Sequence, residues 1–221
     1  MRATVLYDNS ARQDYAADWG FACLLEDEET VLLDTGDSPD LLAANMDTAG
    51  VDPRDITKVV LSHDHHDHTG GLPYVVSRNP DVRVILLPSF GPSARSVASR
   101  PGVVCEVTGP QELAPGLHST GPVPNRTDEQ AVWFEAAGGL VMVTGCAHPG
   151  LDTLLARLPA DRHVHAVLGG FHGFDRLDAL EGIDVIAPCH CTKQKEQIAA
   201  RFPNAFRATA AGDVIEFAGT A

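Results

Sequence analysis

Short apolar runs recur along this chain, and several of them end on a cluster of glycine and polar side chains. Thr30-Val31-Leu32-Leu33 runs into Asp34-Thr35-Gly36, and Lys58-Val59-Val60-Leu61 runs into Ser62-His63. Gly139-Leu140-Val141-Met142-Val143-Thr144 leads into Gly145-Cys146-Ala147-His148, and Val164-His165-Ala166-Val167-Leu168 into Gly169-Gly170-Phe171-His172. Asp184-Val185-Ile186-Ala187-Pro188 leads into Cys189-His190-Cys191-Thr192. Apolar runs this short predict strands buried on both faces. An antiparallel start is predicted over 3–7, 21–25 and 31–33. Ser38-Pro39 supplies an N-cap and a first-turn proline for a helix over the following Asp40-Leu41-Leu42-Ala43-Ala44-Asn45-Met46. Leucines at 151, 154, 155 and 158 form a helical stripe that Pro159 ends, and a further helix is predicted over 192–202, closed by Pro203. The Pro/Gly-rich stretches 88–102 and 108–125 read as loops, with a short helix over 93–99. Strands that deliver polar residues from one end to a common place are how layered α/β proteins build active sites.

The densest of these strand ends holds four histidines and two aspartates in six positions, His63-Asp64-His65-His66-Asp67-His68. Imidazole and carboxylate together suit borderline divalent ions such as zinc, iron, manganese or cobalt. The bland alternative is a solvated His-rich loop. On an extended segment His63 and His65 project to the same side, and Asp67 and His68 face the same cavity if the chain turns there. Two offset pairs of ligands suit two neighbouring ions. His148, in a turn of small residues, is the next candidate ligand, against a helix-capping role. His190 follows a strand and precedes a predicted helix. His172 is open between metal binding, substrate orientation, proton transfer and a structural role. His118, His163 and His165 carry the bland reading.

His63-x-His65-x-Asp67-His68 followed by Thr69-Gly70-Gly71 resembles the metal-binding signature of the metallo-β-lactamase superfamily. The resemblance implies an α/β fold, a four-layer αββα sandwich, with residues 1–221 as a single domain. It leaves Asp64 and His66 at variable positions and gives Asp34 an outer role, orienting the metal loop through hydrogen bonds. Where many dinuclear relatives carry a Pro-Gly-His turn and a bridging aspartate after glycine, this chain has Pro115-Gly116-Leu117-His118 and Gly145-Cys146. Either Cys146 replaces the bridge as a thiolate, or the bridge is missing. Gly-Cys-x-His, Gly-Gly-Phe-His and Pro-Cys-His-Cys-Thr together resemble a subgroup related to archaeal dihydropterin-forming synthases of methanopterin biosynthesis. In that subgroup His148 would replace the missing histidine. The expected metal set is therefore His63, His65 and His148 on one ion and Asp67, His68 and His190 on the other, with Cys146 as a candidate. Cys189 and Cys191, flanking His190, are expected to point away and pack.

Composition narrows the partners. The 221 residues are 44% hydrophobic and carry a net charge of −14, which disfavours nucleic acid and anionic membranes as partners. A small-molecule substrate is expected. Five cysteines without a CxxC pair argue against a disulfide framework. The first residues lack a signal-type apolar stretch and nowhere do eighteen apolar residues run together, so a soluble, cytoplasmic protein is expected. The expected activity is a metal-dependent hydrolase with two divalent ions, zinc first and iron or manganese as alternatives. Hydroxide on the metal would attack an ester, lactone, thioester or phosphodiester, and Asp67 or His172 would handle the proton. The rivals are a non-hydrolytic synthase or lyase acting on a phosphorylated pterin-type substrate and an iron-dependent redox enzyme. For the phosphate, Arg95 or Lys193 could serve, though nothing singles them out.

Overall fold

The computed structural model describes residues 1–100 and 104–219, and residues 101–102 of the predicted 88–102 loop lie outside them. The apolar runs become strands of two facing sheets. The first contains β1 (Arg2–Tyr7), β2 (Ala22–Glu26), β3 (Thr30–Leu33), β4 (Lys58–Val60), β5 (Arg83–Leu86), β6 (Val104–Glu106) and β13 (Val214–Glu216), in the order β13-β1-β2-β3-β4-β5-β6. The second contains β7 (Gln111–Ala114), β8 (Leu117–Ser119), β9 (Val132–Ala136), β10 (Gly139–Thr144), β11 (Val164–Gly170) and β12 (Val185–Cys189), in the order β12-β11-β10-β9-β8-β7. Each sheet is mixed. β3 to β6 run parallel, as do β10 to β12, and antiparallel strands complete each sheet.

The period-2 alternation of side chains sets the layers. Val141 and Val143 of β10, Ala166 and Leu168 of β11 and Ala187 of β12 join the core shared with the first sheet. The alternate positions Leu140, Met142, Val167 and Ile186 pack instead with Leu151 and Leu154 of α5 (Leu151–Leu155) and Ile198 of α6 (Lys195–Arg201). Across the molecule, α1 (Pro39–Ala49) and α3 (Leu72–Arg78) bring Leu42, Met46, Leu72 and Val75 onto the first sheet. The layering is thus helix, sheet, sheet, helix. The N-terminus of α1 follows the sequence signal: Ser38 Oγ accepts from Leu41 N at 3.3 Å, Pro39 opens the helix, and Gly50 closes it at φ 70°.

Three sequence expectations change. The leucine stripe is helical only as far as Leu155. The helix predicted from residue 192 begins at Lys195, because Thr192 is held in a turn by its own Oγ1, which donates to Cys189 O at 2.7 Å and accepts from Phe171 N at 2.9 Å. The stretch 108–125, read as loop for its prolines and glycines, contributes the edge hairpin β7–β8. The short helix expected over 93–99 is α4 (Pro92–Ala98). Among the described residues no helix is long and apolar enough to cross a membrane.

The topology brings the polar strand ends together. Asp34, His63, Cys146, His172 and His190 each follow the C-terminal end of a parallel strand, β3, β4, β10, β11 and β12. Asp8 follows β1, which runs antiparallel to β2 and so in the direction of β3, and Glu129 precedes β9, which runs antiparallel to β10. All seven therefore meet at one edge of the sandwich.

Candidate metal centre

Three loops supply the centre. After β4 the chain turns at His65 into the one-turn helix α2 (His66–Thr69), which aims Asp67 and His68 back toward His63. His63 and His68 are fully buried, and their ring centroids lie 4.1 Å apart. His63 Nε2 sits 3.1 Å from His65 Nδ1. The His148 ring is 4.6 Å from that of His63 and 4.9 Å from that of His65. On the other side the His190 ring lies 5.0 Å from His68, and its Nε2 is 3.4 Å from Asp67 Oδ2, which is itself 3.7 Å from His68 Nε2. The six candidate side chains thus converge, His63, His65 and His148 on one side and Asp67, His68 and His190 on the other, with the His63–His68 pair joining them.

Cys146 lies between the groups. Donor atoms of His63, Cys146 and His148 fall within 4.8 Å of one another, and so do those of His68, Cys146 and His190. Its Sγ is 3.3 Å from His68 Nε2. Cys191 does not pack away as expected, since its Sγ lies 3.1 Å from Cys146 Sγ. The tight turn after His190 swings the following side chain under the centre. Cys189 is buried in the core, in keeping with its packing role.

A polar shell fixes the ring orientations. Asp34 accepts from Ser62 N at 2.7 Å and Ser62 Oγ at 2.6 Å, and its Oδ2 is 2.7 Å from His68 Nδ1. Because the Ser62 hydroxyl proton goes to Asp34, its 2.8 Å contact with His63 Nδ1 needs that nitrogen as the donor. Asn9 Oδ1 faces His190 Nδ1 at 2.9 Å, while Asp8 Oδ1 accepts from His190 N at 2.5 Å. Glu129, fully buried, receives Cys146 N, Ala147 N and His148 N, each at 2.8 Å, and stands 2.9 Å from His148 Nδ1. In all four rings Nδ1 is engaged outward, and the Nε2 lone pair is left facing the centre.

That arrangement fits a cation. His190 Nε2 is buried with no hydrogen-bond partner, which costs free energy unless something electropositive faces it. Burial pushes the His63 imidazole well down and His68 to about 3, so both are neutral and able to ligate. Burial pushes the Asp34 carboxyl up, and the charges of Glu129 and Asp67 add to that against the bonds from Ser62. For Glu129 and Asp67 burial also acts upward, but in Glu129 the bonds received from His148 outweigh it, and both carboxyls stay below the ordinary range. Carboxylates buried among neutral imidazoles leave local negative charge that divalent ions would neutralise.

The backbone is bent to make this edge. Asp34, Ala147, His172 and His190 all adopt left-handed φ, between 46° and 57°. Such a conformation costs roughly 1–2 kcal/mol per non-glycine residue and concentrates at functional sites. Gly145 is required for a different reason: a Cβ there would collide with Ser62 Oγ and lie 2.8 Å from Asp34 Oδ2.

The remaining candidates sort cleanly. His172 is exposed at the mouth, its ring 4.9 Å from His148, and burial with the neighbouring His148 lowers its pKa. His118 lies in β8, stacked on Trp133 at 4.3 Å. Asp64 accepts from Gly91 N at 2.7 Å, and His66 is exposed. Arg95 is not available for a phosphate, as its guanidinium binds Phe90 O, Leu87 O, Pro88 O and Glu106. Sequence reading missed Glu129, Ser62, Asp8, Asn9 and the position of Cys191. The available signals were a carboxylate before the apolar run Ala131-Val132, and Asp8-Asn9 at the end of a strand.

Two cavities flank the cluster. One of about 270 Å³ is lined by His65, Arg126 and Thr127, and one of about 280 Å³ by His148, His172 and Arg176. A larger cavity of about 760 Å³ lies away from them beside α1 and α3, with no imidazole in its wall.

Comparison with known proteins agrees with the fold. A Methanocaldococcus jannaschii 7,8-dihydropterin-6-methyl-4-(beta-D-ribofuranosyl)-aminobenzene-5'-phosphate synthase is 24% identical, with 90% of each chain covered. A solved metal-dependent hydrolase of the beta-lactamase superfamily superposes with a TM-score of 0.81 and 26% identity over 99% of each chain. The short form of human tRNase Z shares the fold, with a TM-score of 0.60 and 16% identity, over 98% of this chain and 99% of its own. The sequence profile of the metallo-beta-lactamase superfamily matches residues 20–166, and this chain belongs to that superfamily.

Proposed function

We propose that this protein is a metal-dependent hydrolase acting on an ester, lactone, thioester or phosphodiester. The observation that carries the reading is the set of four imidazoles, His63, His68, His148 and His190, whose Nδ1 atoms are tied outward while their Nε2 atoms face one centre. His63, His65 and His148 would hold one divalent ion and Asp67, His68 and His190 a second, with Cys146 between them. Such ions polarise a carbonyl or phosphoryl oxygen and lower the pKa of water to near ~7. The protein's own groups do the rest. Asp34 and Glu129 keep His68 and His148 in one orientation. Asp67, an ionised carboxylate at the centre, is placed to accept a proton from an attacking water. His172, exposed beside His148, is placed to return one to a leaving group. Arg126, in one flanking cavity, offers positive charge to an anionic substrate, while Arg176 in the other is paired with Asp152.

A second reading has its own support. The archaeal relative that matches along 90% of both chains is a synthase, which favours a non-hydrolytic step on a phosphorylated pterin-type substrate. One experiment separates the two. Protein purified without added metal is analysed for its elements, then assayed on activated esters, lactones, thioesters, phosphodiesters and a reduced pterin phosphate, before and after chelation. The hydrolase reading expects chelator-sensitive hydrolysis in at least one ester class. Failure of every hydrolytic substrate with metal bound, together with conversion of the pterin phosphate without net hydrolysis, would replace it with the synthase. Iron as the native metal, with oxygen consumption, would replace it with a redox enzyme.

A further inference from the structure

A second group of metal-capable side chains lies at the opposite end of β11. His163 precedes the strand, His165 is its second residue, and Asp184 precedes β12. β11 spans 7 residues from this end to the centre described above, roughly 20 Å at the rise of a strand. Asp184 Oδ2 is 2.8 Å from His163 Nε2 and 2.8 Å from His165 Nδ1. The three donor atoms lie within 4.8 Å of one another.

We propose that His163, His165 and Asp184 form a surface site for a borderline divalent ion such as Zn²⁺, separate from the central cluster. Two imidazoles and one carboxylate are a donor set that suits such ions, and the remaining positions are left to water. The framework around the trio is set. Leu140 N donates to His163 O at 2.8 Å and Asp184 N to His165 O at 3.1 Å, so neighbouring strands fix the backbone that carries each donor. Phe217 meets the His165 ring edge-on at a centroid distance of 6.4 Å. Gly138 leaves room for that ring, since a Cβ there would come 2.5 Å from His165 Nδ1. Asp184 is a solvent-exposed carboxylate and so carries its negative charge at neutral pH. His163 and Asp184 are half exposed, which gives an ion direct access and leaves it exchangeable.

Binding exchanges two N–H···O contacts for three bonds to the ion, with each imidazole proton moving to the other ring nitrogen. The inference does not depend on the reaction at the centre. It is tested on holoprotein already saturated at the central cluster, by titrating Zn²⁺ and following uptake by equilibrium dialysis and thermal melting. Wild type is expected to take up one further Zn²⁺ per chain and melt at a higher temperature, with affinity lowered at least about tenfold in both His163→Ala and Asp184→Asn. Asp184→Asn keeps the side-chain shape and an acceptor oxygen, so loss in that variant cannot be blamed on unfolding. Cu²⁺ added in place of Zn²⁺ should give a resonance spectrum with nitrogen hyperfine structure that His163→Ala alters. Equal Zn²⁺ uptake in wild type and both variants would overturn the proposal, leaving the trio as a hydrogen-bonded surface cluster only.

Discussion

Glu129 Oε2 stands 2.9 Å from His148 Nδ1, while the same carboxylate gathers the backbone N–H groups of Cys146, Ala147 and His148. One buried side chain therefore shapes the turn after β10 and sets which nitrogen of His148 faces the centre. Glu129→Gln puts an amide donor where four donors already converge. The expected result is a folded protein whose affinity for metal falls about 10–100-fold, measured by competition with a chromophoric chelator. Far-ultraviolet circular dichroism unchanged from wild type, with metal affinity also unchanged, would remove Glu129 from the account.

The two ends of β11 and β4 offer a contrast between histidines. His65→Ala should lower kcat on any hydrolysed substrate by at least about 100-fold and reduce bound metal. His163→Ala should leave kcat within about twofold, because its ring touches Asp184 at the far end of the sheet. Steady-state rates on the same ester, with metal content measured on the same samples, check both. Comparable losses in the two variants would mean that the centre is misplaced.

Cys146 belongs to both donor groups, so its loss should affect occupancy before stability. Cys146→Ala is expected to lower metal content from about two ions per chain to about one, with the melting temperature of the chelated protein nearly unchanged. Equal stoichiometry in variant and wild type would make Cys146 a buried small residue of a tight turn.

Away from the centre, Glu29 accepts from Lys58 and Thr57, and these bonds hold its carboxyl below the ordinary range. A carboxyl depressed in the folded state contributes stability above its unfolded value near ~4.5, and that contribution is lost as pH falls through the folded value. Glu29→Gln should therefore cost on the order of 1 kcal/mol or less at pH 7, and the gap from wild type should be smaller near pH 3 than at pH 7. Urea unfolding at the two pH values reads this directly. A gap that widens in acid would refute the assignment.

The sequence by itself determined the strand ends and the chemistry they carry. Apolar runs stopping at Asp34, His63, Cys146, His172 and His190 were legible because burial on both faces forces continuous hydrophobicity, and function forces polarity where the strand stops. The expected division of the candidate ligands into two groups followed from spacing and family resemblance. The hairpin β7–β8 was not legible, because its two strands are only four and three residues long and Gly109-Pro110 and Pro115-Gly116, in the turns that bound them, dominate the local pattern. The supporting shell was hidden for a different reason. Glu129, Asp8, Asn9 and Ser62 owe their roles to partners 19, 182, 181 and 28 residues away, and only the packing of the two sheets brings such pairs within hydrogen-bonding distance. Cys191 shows the same limit locally. Its separation from His190 predicts opposite faces on an extended strand, but His190 is left-handed at φ 46°, and that single backbone torsion returns Cys191 to the base of the centre.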